Sequence, residues 1–214
     1  MYLAISKRNL LHALPFDLIE RVVLALFFGF LSFNLLRGYW QTGAFDNLLL
    51  LASEGSVFVF VVARRFANTM SLKPMDWLVA VGGTILPSLA QPTGVPPEIP
   101  GLTGVVAILM LTGLAIQLAA KFTLRRSFGV VAANRGIKVS GPYRTVRHPM
   151  YAGYILTHIG FLLHNPSFWN LMVYAIGAAF QIARILAEER VLLRDEAYQE
   201  FVAQTRYRLI FGVV

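Results

Sequence analysis

Arg147-His148-Pro149-Met150-Tyr151-Ala152-Gly153 sets an arginine, a histidine and a tyrosine where an apolar run begins, with Tyr143 and Arg144 just ahead of it. Ionisable groups at that depth of a bilayer are costly to hold and mark candidate sites. Pro149 suits the first turn of a helix, where its missing N–H costs no bond, and it holds His148 extended, so a helix is expected to start at Pro149. The free N–H groups and positive dipole end of that helix, beside Arg144, Arg147 and His148, suit a carboxylate or phosphate. Tyr151, Tyr154 and His158 follow at i, i+3 and i+7 on one face, which predicts an aromatic wall, and Gly153 allows close approach to the backbone. The competing reading keeps the cations as headgroup anchors and the tyrosines as an interfacial belt. His158, alone on an apolar helix, reads as a packing residue.

The second candidate cluster is Glu188-Glu189, where the last apolar run ends. Gln181, Arg184 and Glu188 share a helix face at i, i+3 and i+7, and Glu189 is turned about 100° away. One glutamate can therefore pair internally while the other meets a cation, and a carboxylate at a desolvated boundary attracts an ammonium or sulfonium strongly. Against this stands a solvated helix end in which Arg184, Arg190 and Arg194 neutralise both acids. Downstream, Tyr198, Phe201 and the stretch from Thr205 to Ile210 mix aromatic, basic and apolar residues, as in an amphipathic segment lying on a leaflet. If that stretch is extended, Arg206 and Arg208 share a face and can reach a carboxylate or phosphate. Glu54 is a further intramembrane acid, which Ser53, Ser56 and Asn47 can satisfy as a packing element.

The elements that must position these groups are membrane helices. Of 214 residues, 57% are hydrophobic and 14% charged, and the mean hydropathy is +0.62, a composition that points to an all-α, polytopic membrane bundle. Apolar runs at 17–36, 44–63, 75–90, 102–120, 151–164 and 167–186 give five to six candidate spans against the roughly 20 residues that cross a bilayer. The fifth run is short for a crossing and suits a shallow hairpin with the sixth. With an inside N-terminus, 18 of the 19 lysines and arginines fall on one side and only Arg37 on the other. The positive-inside rule then places both termini in the cytoplasm and makes the charge a matter of topology, not of nucleic-acid binding. The chain has no cysteine, which excludes disulfides, thiolate metal ligation and a cysteine nucleophile; no metal site is expected. Residues 1–14 lack a continuous apolar run and a small-residue cleavage site, so no removable signal peptide is expected. The basic loop 121–147 divides an N-terminal scaffold, 1–120, from a chemical half, 121–214.

Ser140-Gly141-Pro142-Tyr143, the Arg-His-Pro-Met-Tyr-Ala-Gly run, Glu188-Glu189, Tyr198 to Phe201 and Arg208-Leu209-Ile210, in this order and spacing, resemble the isoprenylcysteine carboxyl methyltransferases and the related phospholipid methyltransferases. Phe201 replaces the second tyrosine of the usual motif, and Phe211 stands where many members have proline. The resemblance implies S-adenosylmethionine as cofactor, bound by the cytoplasmic C-terminal half, and a lipophilic methyl acceptor entering from the inner leaflet. By position it implies Arg147, His148, Tyr151, Gly153, Glu188, Glu189 and Tyr143 at the cofactor, with Arg208, Glu189 and Arg206 as candidates at the acceptor. Two other readings remain open. One is an NADPH-dependent membrane sterol or enone reductase, which usually has asparagine where Met150 stands, and the other is a non-enzymatic membrane scaffold.

Overall fold

The computed structural model describes residues 7–43, 45–93, 99–210 and 212. Seven helices follow in order: α1 (Lys7–Thr42), α2 (Phe45–Ala63), α3 (Pro74–Ile85), α4 (Leu102–Leu124), α5 (Pro149–His164), α6 (Phe168–Leu192) and α7 (Glu196–Gln204). The only sheet among the described residues is a two-residue antiparallel ladder, β1 (Thr69–Met70) with β2 (Ala133–Asn134), in which Thr69 faces Asn134 and Met70 faces Ala133. The expected all-helical class is what the chain adopts.

Three stretches are long and apolar enough to cross a bilayer, Ala13–Thr42, Leu102–Ser127 and Phe168–Leu192, and Leu51–Ala63 is a shorter apolar helix. Leu26, Phe30, Ile108 and Phe168 on these helices are largely exposed, as side chains facing lipid are. Of the six expected runs, the third and fifth form helices of only 12 and 16 residues. The α3 helix passes into a 3-10 turn at Leu86–Leu89, which carries Pro87. Pro149 opens α5 as expected.

The α6 helix runs six residues past the apolar run that ends at 186 and carries Glu188 and Glu189, as their helical spacing requires. It continues because Ala187, Glu189 and Val191 are buried, so burial outweighs the polarity of the two adjacent acids. Nor does α5 pack chiefly on its hairpin partner. It lies along α4, α1 lies along α2, and α3 along α6. Glycines explain the α4–α5 seam: a Cβ on Gly153 would stand 2.6 Å from the Gly113 carbonyl oxygen, and one on Gly113 would stand 2.7 Å from that of Gly153. Small residues of this kind let membrane helices approach backbone to backbone.

Alternating passes collect the N-terminal ends of α1, α3 and α5 and the C-terminal ends of α2, α4 and α6 at one end of the bundle. The opposite end is closed by the fully buried Asn170, which donates to the Gln91 and Asn165 carbonyls and accepts from Gln91 N–H. Glu54 accepts from Ser53, and Ser53 also meets the buried Lys121 ammonium at 3.2 Å. These polar groups are satisfied within helix packing, as their location requires.

Candidate functional site

At the end of the bundle where α5 begins and α6 finishes, a cleft opens, with the apolar wall and few convergent polar groups common to small-molecule sites. Its polar wall includes Tyr143, Arg147, His148, Tyr151, Glu188 and Tyr198. Its apolar wall includes Leu124, Val131, Ile137, Met150, Leu192 and Phe201. The basic loop supplies Gly129, Arg135, Gly136 and Lys138. Residues from α4, the loop, α5, α6 and α7 thus meet around one space.

The two glutamates divide their roles. Glu189 is buried; its Oε1 pairs with Arg147 Nη1 at 3.0 Å and His148 Nε2 at 3.2 Å, and its Oε2 with Arg208 Nε at 3.1 Å. Glu188 faces the cleft, accepts a hydrogen bond from the Tyr151 hydroxyl and lies 3.8 Å from His148 Nδ1. The expectation that one acid pairs internally and the other stays available is met, with Glu189 as the internal one. The alternative pairing with nearby arginines is not what forms. Arg190 meets Asp76, and Arg184 donates to the Val130 carbonyl while its guanidinium stands over the Tyr151 ring. The anion expected at the N-terminus of α5 is likewise supplied by the chain, since Glu189 sits against the guanidinium and imidazole that precede the helix.

The tail docks onto this network through backbone. Arg147 N–H donates to the Tyr207 carbonyl at 2.9 Å and His148 N–H to that of Arg208 at 2.8 Å. The segment after α7 therefore lies beside residues 147–148 and bends at 208–210, so Arg206 and Arg208 do not share the face expected of an extended stretch. Arg208 turns toward Glu189 and stays 46% exposed, whereas the Arg206 side chain is exposed and its carbonyl accepts from Arg147 Nη2. Phe211 lies outside the described residues.

Five of the seven expected cofactor residues, Tyr143, Arg147, His148, Tyr151 and Glu188, line the cleft. Gly153 does not; it is spent on the α4–α5 seam. Glu189, Arg206 and Arg208 stand behind or beside the wall and not on it. Tyr151, Tyr154 and His158 form the expected row of rings, which ends with His158 stacked on Tyr174 at 4.5 Å, a packing role. Burial raises the Tyr143 and Tyr198 phenols far above their usual range, with Glu188 adding to the first and Glu189 to the second, so both remain neutral donors. The Tyr198 hydroxyl has no hydrogen-bond partner among the described residues, although it lies on the cleft.

Residues 102–200 match the model of the phospholipid methyltransferase family. The match runs from the first residue of α4 into α7, so the matched segment holds the cleft wall apart from Phe201, both glutamates and the Arg-His-Pro run, and leaves the tail from 201 and all of α1 to α3 outside it. Three helices among the described residues are long and apolar enough to cross a bilayer, and the matched segment is similar to a family of membrane methyltransferases. No curated protein matches the chain.

Sequence reasoning missed part of the wall. Arg135 was seen only as one charge in a basic loop, and Asp17 and Glu20 were passed over entirely. A signal was present, since two acids at i and i+3 inside the first apolar run invite the question put to Glu54.

Proposed function

We propose that this protein transfers a methyl group from S-adenosylmethionine to a lipophilic acceptor that reaches the cleft from the inner leaflet. The observation that carries the reading is Glu188: a carboxylate on the cleft wall, held by Tyr151, in the segment that matches a methyltransferase family. The donor set fits the cofactor. Glu188 offers negative charge to an ammonium or sulfonium, Tyr198 offers an unused hydroxyl, and Tyr143 is a neutral donor beside them. When bound, S-adenosylmethionine supplies an electrophilic methyl group.

The chain's own part is alignment and a dry, charged setting, which can provide most of the acceleration for a direct displacement. Leu124, Ile137, Met150, Leu192 and Phe201 give the cleft an apolar wall. Glu189 holds Arg147 and His148 in place from behind. An acceptor that must shed a proton finds His148 and Glu188 on the wall as bases, and Arg208, half exposed beside Glu189, is the cation placed to orient an anionic one. Arg208→Ala with unchanged turnover would remove that last assignment. The inner leaflet is favoured by the basic residues gathered at this end of the bundle.

Calorimetric titration of detergent-purified protein with S-adenosylhomocysteine tests the reading, with NADPH in parallel and Glu188→Gln as comparison. Micromolar binding that weakens in Glu188→Gln is expected. Binding of NADPH alone would replace the reading with a reductase, and binding of neither would favour a scaffold.

A further inference from the structure

Glu20 lies on α1, more than eighty residues ahead of the family segment, yet one of its oxygens accepts from two backbone donors of the cleft loop, Val130 N–H at 3.0 Å and Val131 N–H at 2.9 Å. Its other oxygen pairs with Arg135 Nη2 at 2.7 Å and Arg64 Nη2 at 2.9 Å. Asp17 meets the same two guanidinium groups at 2.6 and 3.2 Å. All four side chains are at most 3% exposed. Two acids and two bases from α1, the end of α2 and the loop thus form a buried ion cluster behind the cleft, with the partly exposed Arg21 at its edge, 3.9 Å from Asp17.

Such a cluster is a poor way to gain stability, because desolvating four charges offsets much of their attraction. Arg64 Nε and Nη1 and Arg135 Nε have no hydrogen-bond partner among the described residues, which adds to that cost. What the cluster does achieve is position. Val131 and Arg135 line the cleft, and the guanidinium of Arg135 lies so close over Gly129 that a Cβ there would come within 2.1 Å of Nη1. The same loop is gripped from the far side, where Arg184 donates to the Val130 carbonyl at 3.1 Å.

We propose that Glu20, supported by Asp17, is a positioning residue of the site: it fixes the loop around 128–136 against the scaffold and so sets the shape of the cleft wall. The N-terminal helices are then part of the binding machinery. The ligand arm of the test rests on the S-adenosylmethionine reading, and the exchange arm does not.

The test compares the full chain in detergent with Glu20→Gln and with Glu20→Gln/Arg135→Gln, which removes one charge of each sign and leaves the net charge of the cluster unchanged. Three quantities are measured: melting temperature, amide hydrogen exchange over 128–136 without ligand, and affinity for S-adenosylhomocysteine. Glu20→Gln is expected to melt earlier, to exchange this segment about tenfold faster and to bind about tenfold more weakly. The double variant is expected to recover most of the melting temperature while exchange stays fast and binding weak. A double variant that melts, exchanges and binds like the wild type overturns the proposal, since the cluster would then serve stability alone. Lost binding with unchanged exchange also overturns it, by making Arg135 a direct ligand contact. Failure of both variants to fold overturns it too, making the cluster a determinant of the whole fold. If the wild type binds no S-adenosylhomocysteine, the cofactor reading fails and the exchange arm alone decides the role of Glu20.

Discussion

Replacing Glu189 with glutamine removes one negative charge from a site where three cationic or protonatable groups converge. Two of them, Arg147 and His148, are 6% and 5% exposed at the side chain, and Arg208 is 46% exposed. Taking one partner from a buried ion pair strands the other, at about 3–5 kcal/mol, while an exposed pair contributes about 0–1 kcal/mol. Nearly all of the loss should therefore come through Arg147, whose Nε already lacks a partner among the described residues. For a chain of this size each kcal/mol moves the melting temperature by about 2–4 °C, so Glu189→Gln should lower it by roughly 6–20 °C. Arg208→Ala should lower it by about 4 °C at most. Thermal unfolding in detergent followed by tryptophan fluorescence reads both, and Arg147→Gln/Glu189→Gln closes the cycle with a coupling of about 0.5–3 kcal/mol. Equal, small shifts for Glu189→Gln and Arg208→Ala would refute the assignment of Glu189 as the internal anchor.

At the α4–α5 seam, Gly153→Ala or Gly113→Ala pushes a methyl group into a facing backbone and should cost about 1–3 kcal/mol, read as an earlier melt. Gly177→Ala in α6, where nothing lies within 4 Å of the new Cβ, should be neutral or stabilising by up to about 1 kcal/mol. In an alkaline titration followed by tyrosinate absorbance, Tyr143 and Tyr198 should ionise above the pH at which a free tyrosine does. Their folded-state values lie above the ordinary 10.0, so their contribution is fully present below pH 10. It is lost as the pH rises past 10, because the unfolded chain releases these protons first. Ionisation of all eight tyrosines near pH 10 in still-folded protein would contradict their burial.

Much of the site was legible because its signals are local. Pro149 marks a helix start by its own ring, Tyr151, Tyr154 and His158 share a face by helical period, and Glu188 and Glu189 diverge by the same geometry. The motif order pointed to membrane methyltransferases, and residues 102–200 match the phospholipid methyltransferase model. Those steps need only neighbours in the chain.

The remainder turned on partners far apart in sequence. Gly153 was expected at the cofactor for the freedom a glycine allows, but only the arrival of Gly113 from α4 shows that this freedom is used for helix contact. Which glutamate faces the cleft follows from where Arg147, His148 and Arg208 come to rest. The docking of the tail follows from the two carbonyls it offers to residues 147 and 148. Glu20 gives no local hint of its bonds to Val130 and Val131, more than a hundred positions away. Composition and periodicity determine that this chain forms apolar helices and where its ionisable residues lie along them. Which of those residues share a buried, low-dielectric space, where a single unpaired charge outweighs any local preference, is decided by tertiary packing alone.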